Sequence, residues 1–413
     1  MKNKKKKKKI KKIKKSRNLL SSLKLKDPTV LNIFEADFKI IMMTLLLIVF
    51  GVIMVFSASY YWSMDQYDKP YNFLIKSGIW ACGGMAVMYV FSVIDYRFYQ
   101  KHYKVILGIS IVLLMLLFTP LGKEVNGATR WLNLGFTIMP GEIAKLCGII
   151  FTAGHLSRRK CNVDSFKDTL IPILAVCAVY FALIIKQPNM STAATIIVII
   201  MAMLFVAGVN IIYFAAAGIG GVALGVIFIL AGGGYRLKRV TSFLDPFADP
   251  LGDAFQVVQS LMAMGSGGIF GRGLGNSVQK NLYLPEPHTD FILAIIGEEL
   301  GFVGILILIL AFVVLIYNGL KVAMKAPDRF GFLLCAGIMM MIGVQVIFNI
   351  AIVTSSMPPT GVALPFVSYG GNATLMFCAG IGIVLNVSKR VNRLEREKER
   401  KEQEKDRIYF DRG

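Results

Sequence analysis

Long apolar runs alternate with short polar segments along almost the whole chain. Runs at about 38–58, 73–93, 104–120, 139–157, 169–186, 191–208, 210–231, 290–317, 330–353 and 367–387 each approach the ~20 residues a helix needs to cross a hydrocarbon core. They predict an all-α integral membrane protein of about ten transmembrane helices. The first run, Ile40 to Phe56, is followed by Ser57-Ala58-Ser59, a small-x-small pattern that could mimic a signal-peptidase site. It is longer than a typical signal core, so it reads as a retained first helix.

The polar segments set an orientation. Lys and Arg concentrate in 95–104, 157–168, 318–330 and the C-terminal tail, on the same side as the basic N-terminus. By the positive-inside rule both termini are expected in the cytoplasm. The division that follows is a basic tail at 1–37, a membrane domain at 38–388 and a charged tail at 389–413.

Two segments expected outside are unusual. Residues 121–138 are long for a connection, and 232–289 are far longer. Loops beyond about 12–15 residues are usually functional or disordered. The second has aromatics, Asp-Pro turns and an apolar patch, "VVQSLMAM", that fits a short interfacial helix. It reads as an ordered extracytoplasmic loop between helices 7 and 8.

Composition agrees with a membrane protein: 55% apolar residues, 17% charged and a mean hydropathy of +0.61. The formal net charge of +21 does not point to nucleic acid, because much of the excess sits in "MKNKKKKKKIKKIKKSR" and the rest in short loops. That pattern suits anionic lipid beside a cytoplasmic anchor, at about 1 kcal/mol per basic residue near the surface. The lysine run itself reads as a solvated tail. Six cysteines without C-x-x-C spacing and three scattered histidines give no disulfide framework and no metal site.

Candidate chemistry gathers at the outer ends of the spans. "YLPEPHTDFILAIIGEELGF" (283–302) places Glu286 and His288 just before Asp290, and Glu298 and Glu299 farther in. An intramembrane carboxylate costs about 2.5–3.5 kcal/mol on insertion scales. If the helix starts at Asp290, Glu298 lies about 80° round it and ~12 Å deeper, with Glu299 on the opposite face. Asp290, at the water boundary, then stays ionised and reaches substrate, while Glu298 and Glu299 bond within the bundle. Glu142 and Lys145 are spaced to share a helix face, either as a self-neutralising pair or as part of the site. Arg130, Lys145 and Lys280, with Arg236 or Arg239, are cations able to hold a pyrophosphate. "GSGGIFGRGLG" (265–275) lacks the strand–helix context of a phosphate loop, so its glycines read as turn formers.

"GATRWLNLG", "PGEIAKL", "QPNMSTA", "FLDPFADPLGDAFQVVQSLMAMGSGGIFGRGLGNSVQK", "YLPEPHTDFILAIIGEELGFVG" and "PPTGVALPFVSYGGNATL" together resemble, in order, the SEDS family of FtsW, RodA and SpoVE proteins. Within it, "YRLKR" and "LPFVSYGG" look closer to FtsW and SpoVE. The resemblance implies a ten-helix fold and an inverting peptidoglycan glycosyltransferase that polymerises lipid II in septal wall synthesis. It puts the family's essential aspartate at Asp290, and its helix-four Glu and Lys at Glu142 and Lys145. Expected partners are lipid II, the undecaprenyl-pyrophosphate-linked glycan, a class B penicillin-binding protein and other division or sporulation proteins. Glu286, His288, Arg130 and Lys280 are the remaining candidates for substrate contact. A divalent cation such as Mg2+ could assist the pyrophosphate, although no dedicated cage is visible. Gly141 stands where the family usually has serine, and Asn189 where it commonly has aspartate. The alternatives are a RodA-like elongation polymerase, a lipid II flippase, or a scaffold for the cross-linking partner.

Overall fold

The computed structural model describes residues 36–410, apart from 126, 134, 136, 159–165, 215–217, 219–244, 249 and 253. Helices dominate: α1 Phe38–Tyr67, α2 Asn72–Val93, α3 Tyr96–Leu116, α4 Pro140–Leu156, α5 Ile171–Ile185, α6 Met190–Val206, α7 Phe255–Gly267, α8 Ile292–Met324, α9 Arg329–Val353 and α10 Gly371–Phe410. Nine of the ten expected spans coincide with helices. The expected span 210–231 lies largely outside the described residues, as do the N-terminal tail, Arg236 and Arg239. Among the described residues six helices are long and apolar enough to cross a membrane. The short helix expected from "VVQSLMAM" is α7.

Short polar residues start several helices. Asp37, Asp95, Asn189 and Asp328 accept from backbone N–H groups at the N-termini of α1, α3, α6 and α9. Pro140 opens α4, where a missing N–H costs nothing. One departure from an all-α reading is a three-stranded antiparallel sheet, β1 Gly122–Val125, β2 Ala128–Asn133 and β3 Thr137–Ile138, in order β1-β2-β3. Leu132 pairs with both Gly122 and Ile138.

Helix α4 occupies the centre of the bundle, against α3, α6 and α9. Every one of its residues except Ile143 is buried. Helix α10 packs along α2, and α8 packs against α1, α7 and α9. Gly84 of α2 allows the first of these contacts, since a Cβ there would lie 2.9 Å from Cys378 Sγ.

Helix α8 is two helices joined at Gly301, whose backbone is non-helical (φ 69°, ψ −169°). The break leaves carbonyls and N–H groups that lipid could not satisfy. The glycine-rich loop after α7 supplies their partners. Arg272 N and Gly273 N donate to Glu298 O and Glu299 O at 2.9 Å, and Phe302 N and Val303 N donate to Gly268 O and Ile269 O at 3.0 and 3.1 Å. A Cβ on Gly301 would strike Gly271 N, and one on Gly271 would strike Glu299 O. Only bare backbone allows this crossing. The glycines of 265–275 therefore serve turns and close approach, as their sequence context suggested.

Candidate functional site

The Glu298 and Glu299 side chains secure the same crossing. Glu298 accepts from Ser277 Oγ at 2.5 Å, Val278 N at 2.9 Å and Gln279 N at 3.2 Å, and faces Arg272 at 3.6 Å. Glu299 pairs with Lys280 Nζ at 2.8 Å and with Ser57 Oγ of α1. Both glutamates thus bond within the bundle. Lys280, expected as a substrate cation, is instead 3% exposed and paired with Glu299, so its charge is met inside the bundle.

Asp290 also differs from the expectation in two respects: it precedes the helix, and burial works against its ionisation. Helix α8 starts at Ile292, so Asp290 belongs to the preceding turn and not to the helix that carries Glu298. Asp290 and Glu298 are therefore not set apart by the turns of one helix, although they do face different partners. The turn is built by Thr289, whose N and Oγ1 both donate to Glu286 O. It is also anchored by Tyr369 N, which donates to His288 O at 2.9 Å.

Asp290 is half-buried. Burial, together with the nearby Glu286 charge, pushes its carboxyl up to about 7, and the Arg130 guanidinium partly opposes the rise. Arg130, on β2, donates to Pro188 O at 2.6 Å, next to the N-cap of α6. A small sheet thereby brings a cation to the carboxylate. Glu286 is exposed and has φ 45°.

His288 does not join this polar group. Its ring lies 4.4 Å from Phe73, 5.4 Å from Trp62 and 5.6 Å from Tyr369, and burial lowers its pKa to about 4. It is a neutral member of an aromatic cluster that fixes the turn, which corrects its sequence assignment as a substrate contact.

Glu142 and Lys145 form an ion pair at 2.7 Å, with side chains 10% and 5% exposed. They lie in the first two turns of α4, where the helix N-terminus favours a carboxylate. Lys145 Nζ sits 5.9 Å from the centre of the Phe377 ring on α10. Gly141 lies against the start of α6, since a Cβ there would be 3.1 Å from Thr192 Cγ2. Asn189 caps that helix by accepting from Thr192 N at 3.3 Å, a role aspartate also fills. Among the described residues no group of three or more His, Cys, Asp or Glu could hold a metal ion.

The fold and this site define a multi-pass helical membrane protein with a carboxylate of raised pKa at the mouth of the bundle and an ion pair in its central helix. The chain belongs to the FtsW/RodA/SpoVE family, described as cell cycle proteins, whose profile matches residues 38–393. Stage V sporulation protein E of Bacillus subtilis is 40% identical over 355 residues, covering 86% of this chain and 97% of the relative. A probable peptidoglycan glycosyltransferase FtsW of Geobacter sp. (strain M18) is 38% identical over 358 residues, covering 86% and 97%. Two solved structures share the fold at 24% identity. One is a chain of a peptidoglycan synthase complex that coordinates polymerization and crosslinking (TM-score 0.71, 86% of this chain and 98% of that chain). The other is the rod shape determining protein RodA of Thermus thermophilus (TM-score 0.63, 86% and 97%).

Proposed function

We propose that this protein is a peptidoglycan glycosyltransferase that polymerises lipid II, with Asp290 as the general base. The names of its relatives support the activity class. The observation that carries the residue assignment is Asp290 itself: half-buried, beside Glu286 and Arg130, with its carboxyl pushed up to about 7. A base poised near the working pH combines a sufficient ionised fraction with a strong driving force for proton transfer.

In the reaction, the C4 hydroxyl of the lipid II GlcNAc attacks the anomeric carbon of the lipid-linked MurNAc. Asp290 takes the hydroxyl proton. The bond to undecaprenyl pyrophosphate breaks, and both electrons leave with the phosphate oxygen. An α-linked phosphate becomes a β-1,4 glycoside by one in-line displacement, so one base suffices and no sugar–enzyme intermediate forms. The leaving group gains charge and needs nearby cations. Among the described residues Arg130 is the cation that acts on Asp290, whereas Lys145 is buried in its pair with Glu142.

The relatives' names favour septal synthesis in division or sporulation, and a class B penicillin-binding protein is the partner that would cross-link the strands. Lys and Arg placement supports cytoplasmic termini, with 232–289 outside and the N-terminal tail beside anionic lipid. The test is purified protein with its penicillin-binding partner and labelled lipid II. Glycan strands on a gel are expected. Transfer of lipid II across vesicles without polymer would overturn the reading in favour of a flippase.

A further inference from the structure

Buried asparagines inside a membrane bundle are costly unless their hydrogen bonds matter, and Asn349 of α9 is completely buried. Its Nδ2 donates twice, to Asp290 O at 2.8 Å and to Val362 O at 2.7 Å. Only an amide nitrogen can face two carbonyls, so the orientation of the group follows from its partners. One side chain thus joins the turn that carries Asp290 to the loop 354–370, which links α9 to α10.

That loop returns to the carboxylate. A Cβ placed on Gly361 would lie 3.0 Å from Asp290 Oδ2 and 3.9 Å from its Cγ. Gly361 does not have a positive φ, so its glycine identity answers to space and not to backbone conformation. Residues 345–370 carry no ionisable side chain except Tyr369. Among the described residues the charged groups acting on Asp290 are Glu286 from its own segment and Arg130 from β2, while 345–353 of α9 and the loop present neutral surface.

We propose that Asn349 and Gly361 are positioning residues for Asp290: the amide fixes the backbone of the aspartate against the loop, and the glycine sets how closely neutral surface approaches its carboxylate. This rests on the reading of Asp290 as the base. The amide determines where the base stands, and the glycine determines how much water remains around it. Displacing a catalytic group by about 1 Å can cost about 100-fold in rate. Removing water from a carboxylate disfavours its charged form and raises its pKa.

The test is lipid II polymerisation by the purified complex across pH, for wild type, Asn349→Leu, Gly361→Ala and Asp290→Asn, with folding checked by size exclusion. Asn349→Leu is expected to lower kcat about 10- to 100-fold with KM little changed. Gly361→Ala is expected to move the acid limb of the profile to higher pH, because its methyl group displaces water from Oδ2. A purely structural role would lower the amount of folded protein without moving that limb. If Asn349→Leu does not fold, Gly361→Ala alone decides. An unshifted limb in folded Gly361→Ala, with Asp290→Asn inactive, overturns the positioning role and leaves the base assignment standing. Activity in Asp290→Asn overturns the base assignment itself.

Discussion

The Lys280–Glu299 pair offers a quantitative test of how the loop between α7 and α8 is held to the helix bundle. Lys280 Nζ is 2.8 Å from Glu299 Oε1, and the side chains are 3% and 0% exposed. At that distance, with an effective dielectric near 20, the direct attraction is about 6 kcal/mol. Desolvating two ions costs several kcal/mol each, so the intact pair contributes little net stability. Breaking it is different. Lys280→Met leaves Glu299 buried with only the single hydroxyl of Ser57, whose Oγ lies 2.7 and 2.8 Å from the two carboxylate oxygens. The expected destabilisation is about 3–5 kcal/mol, and Glu299→Leu, which strands Lys280, should cost a similar amount. The double variant removes both charges and should return to within about 1–2 kcal/mol of wild type, giving a coupling energy of about 3 kcal/mol or more. The assay is unfolding of purified protein in mixed micelles titrated with sodium dodecyl sulfate. Additive single effects, each below about 1 kcal/mol, would refute the buried latch.

Three other outcomes follow from the same geometry. Lys145→Met should strongly lower polymerisation in folded protein, because it leaves Glu142 buried without its partner; unchanged turnover would reduce the pair to packing. Gly301→Ala should unfold the α8 crossing or reduce expression severely, since its φ of 69° and the adjacent Gly271 both exclude a side chain; a normal thermal midpoint would contradict the interrupted helix. The rate should fall with acid below pH about 7 as Asp290 takes up its proton, and Glu286→Gln should move that limb to lower pH by removing a charge that raises the Asp290 pKa. Identical pH profiles for wild type and Glu286→Gln would contradict the proximity of the two carboxylates.

Hydropathy made the helices legible because lipid imposes a length and a composition on each span. It also made α7 visible, since "VVQSLMAM" is apolar but too short to cross. The sheet at 122–138 was less accessible. Its strands are short, and the pattern of β2, with Ala128 and Leu132 buried, does not keep strict alternation. The order of acidic residues in 283–302 marked a site, but the start of α8 decides the position of Asp290, and boundaries are the weakest part of a periodicity argument. Lys280 and His288 show the main difficulty. A lysine in a long loop reads as available, yet its partner Glu299 is supplied by a helix that folds back against that loop. A histidine two residues before Asp290 reads as chemistry, yet Trp62 from α1 and Phe73 from α2 enclose it. Asn349 is a polar residue in an apolar helix, but nothing local in the sequence shows that it bonds Asp290 O, 59 residues away.

The central claim is that Asp290 acts as the base in strand synthesis. Asp290→Asn keeps the shape of the side chain and removes its basic oxygen. General-base contributions are typically 10²–10⁴-fold, or about 3–5 kcal/mol of barrier. The most direct measurement is gel analysis of glycan strands made from labelled lipid II by the purified complex, with a pull-down of the penicillin-binding partner on the same preparation. Asp290→Asn should make at least about 100-fold less polymer while still binding that partner. Near-normal strand synthesis by folded Asp290→Asn protein would contradict the account.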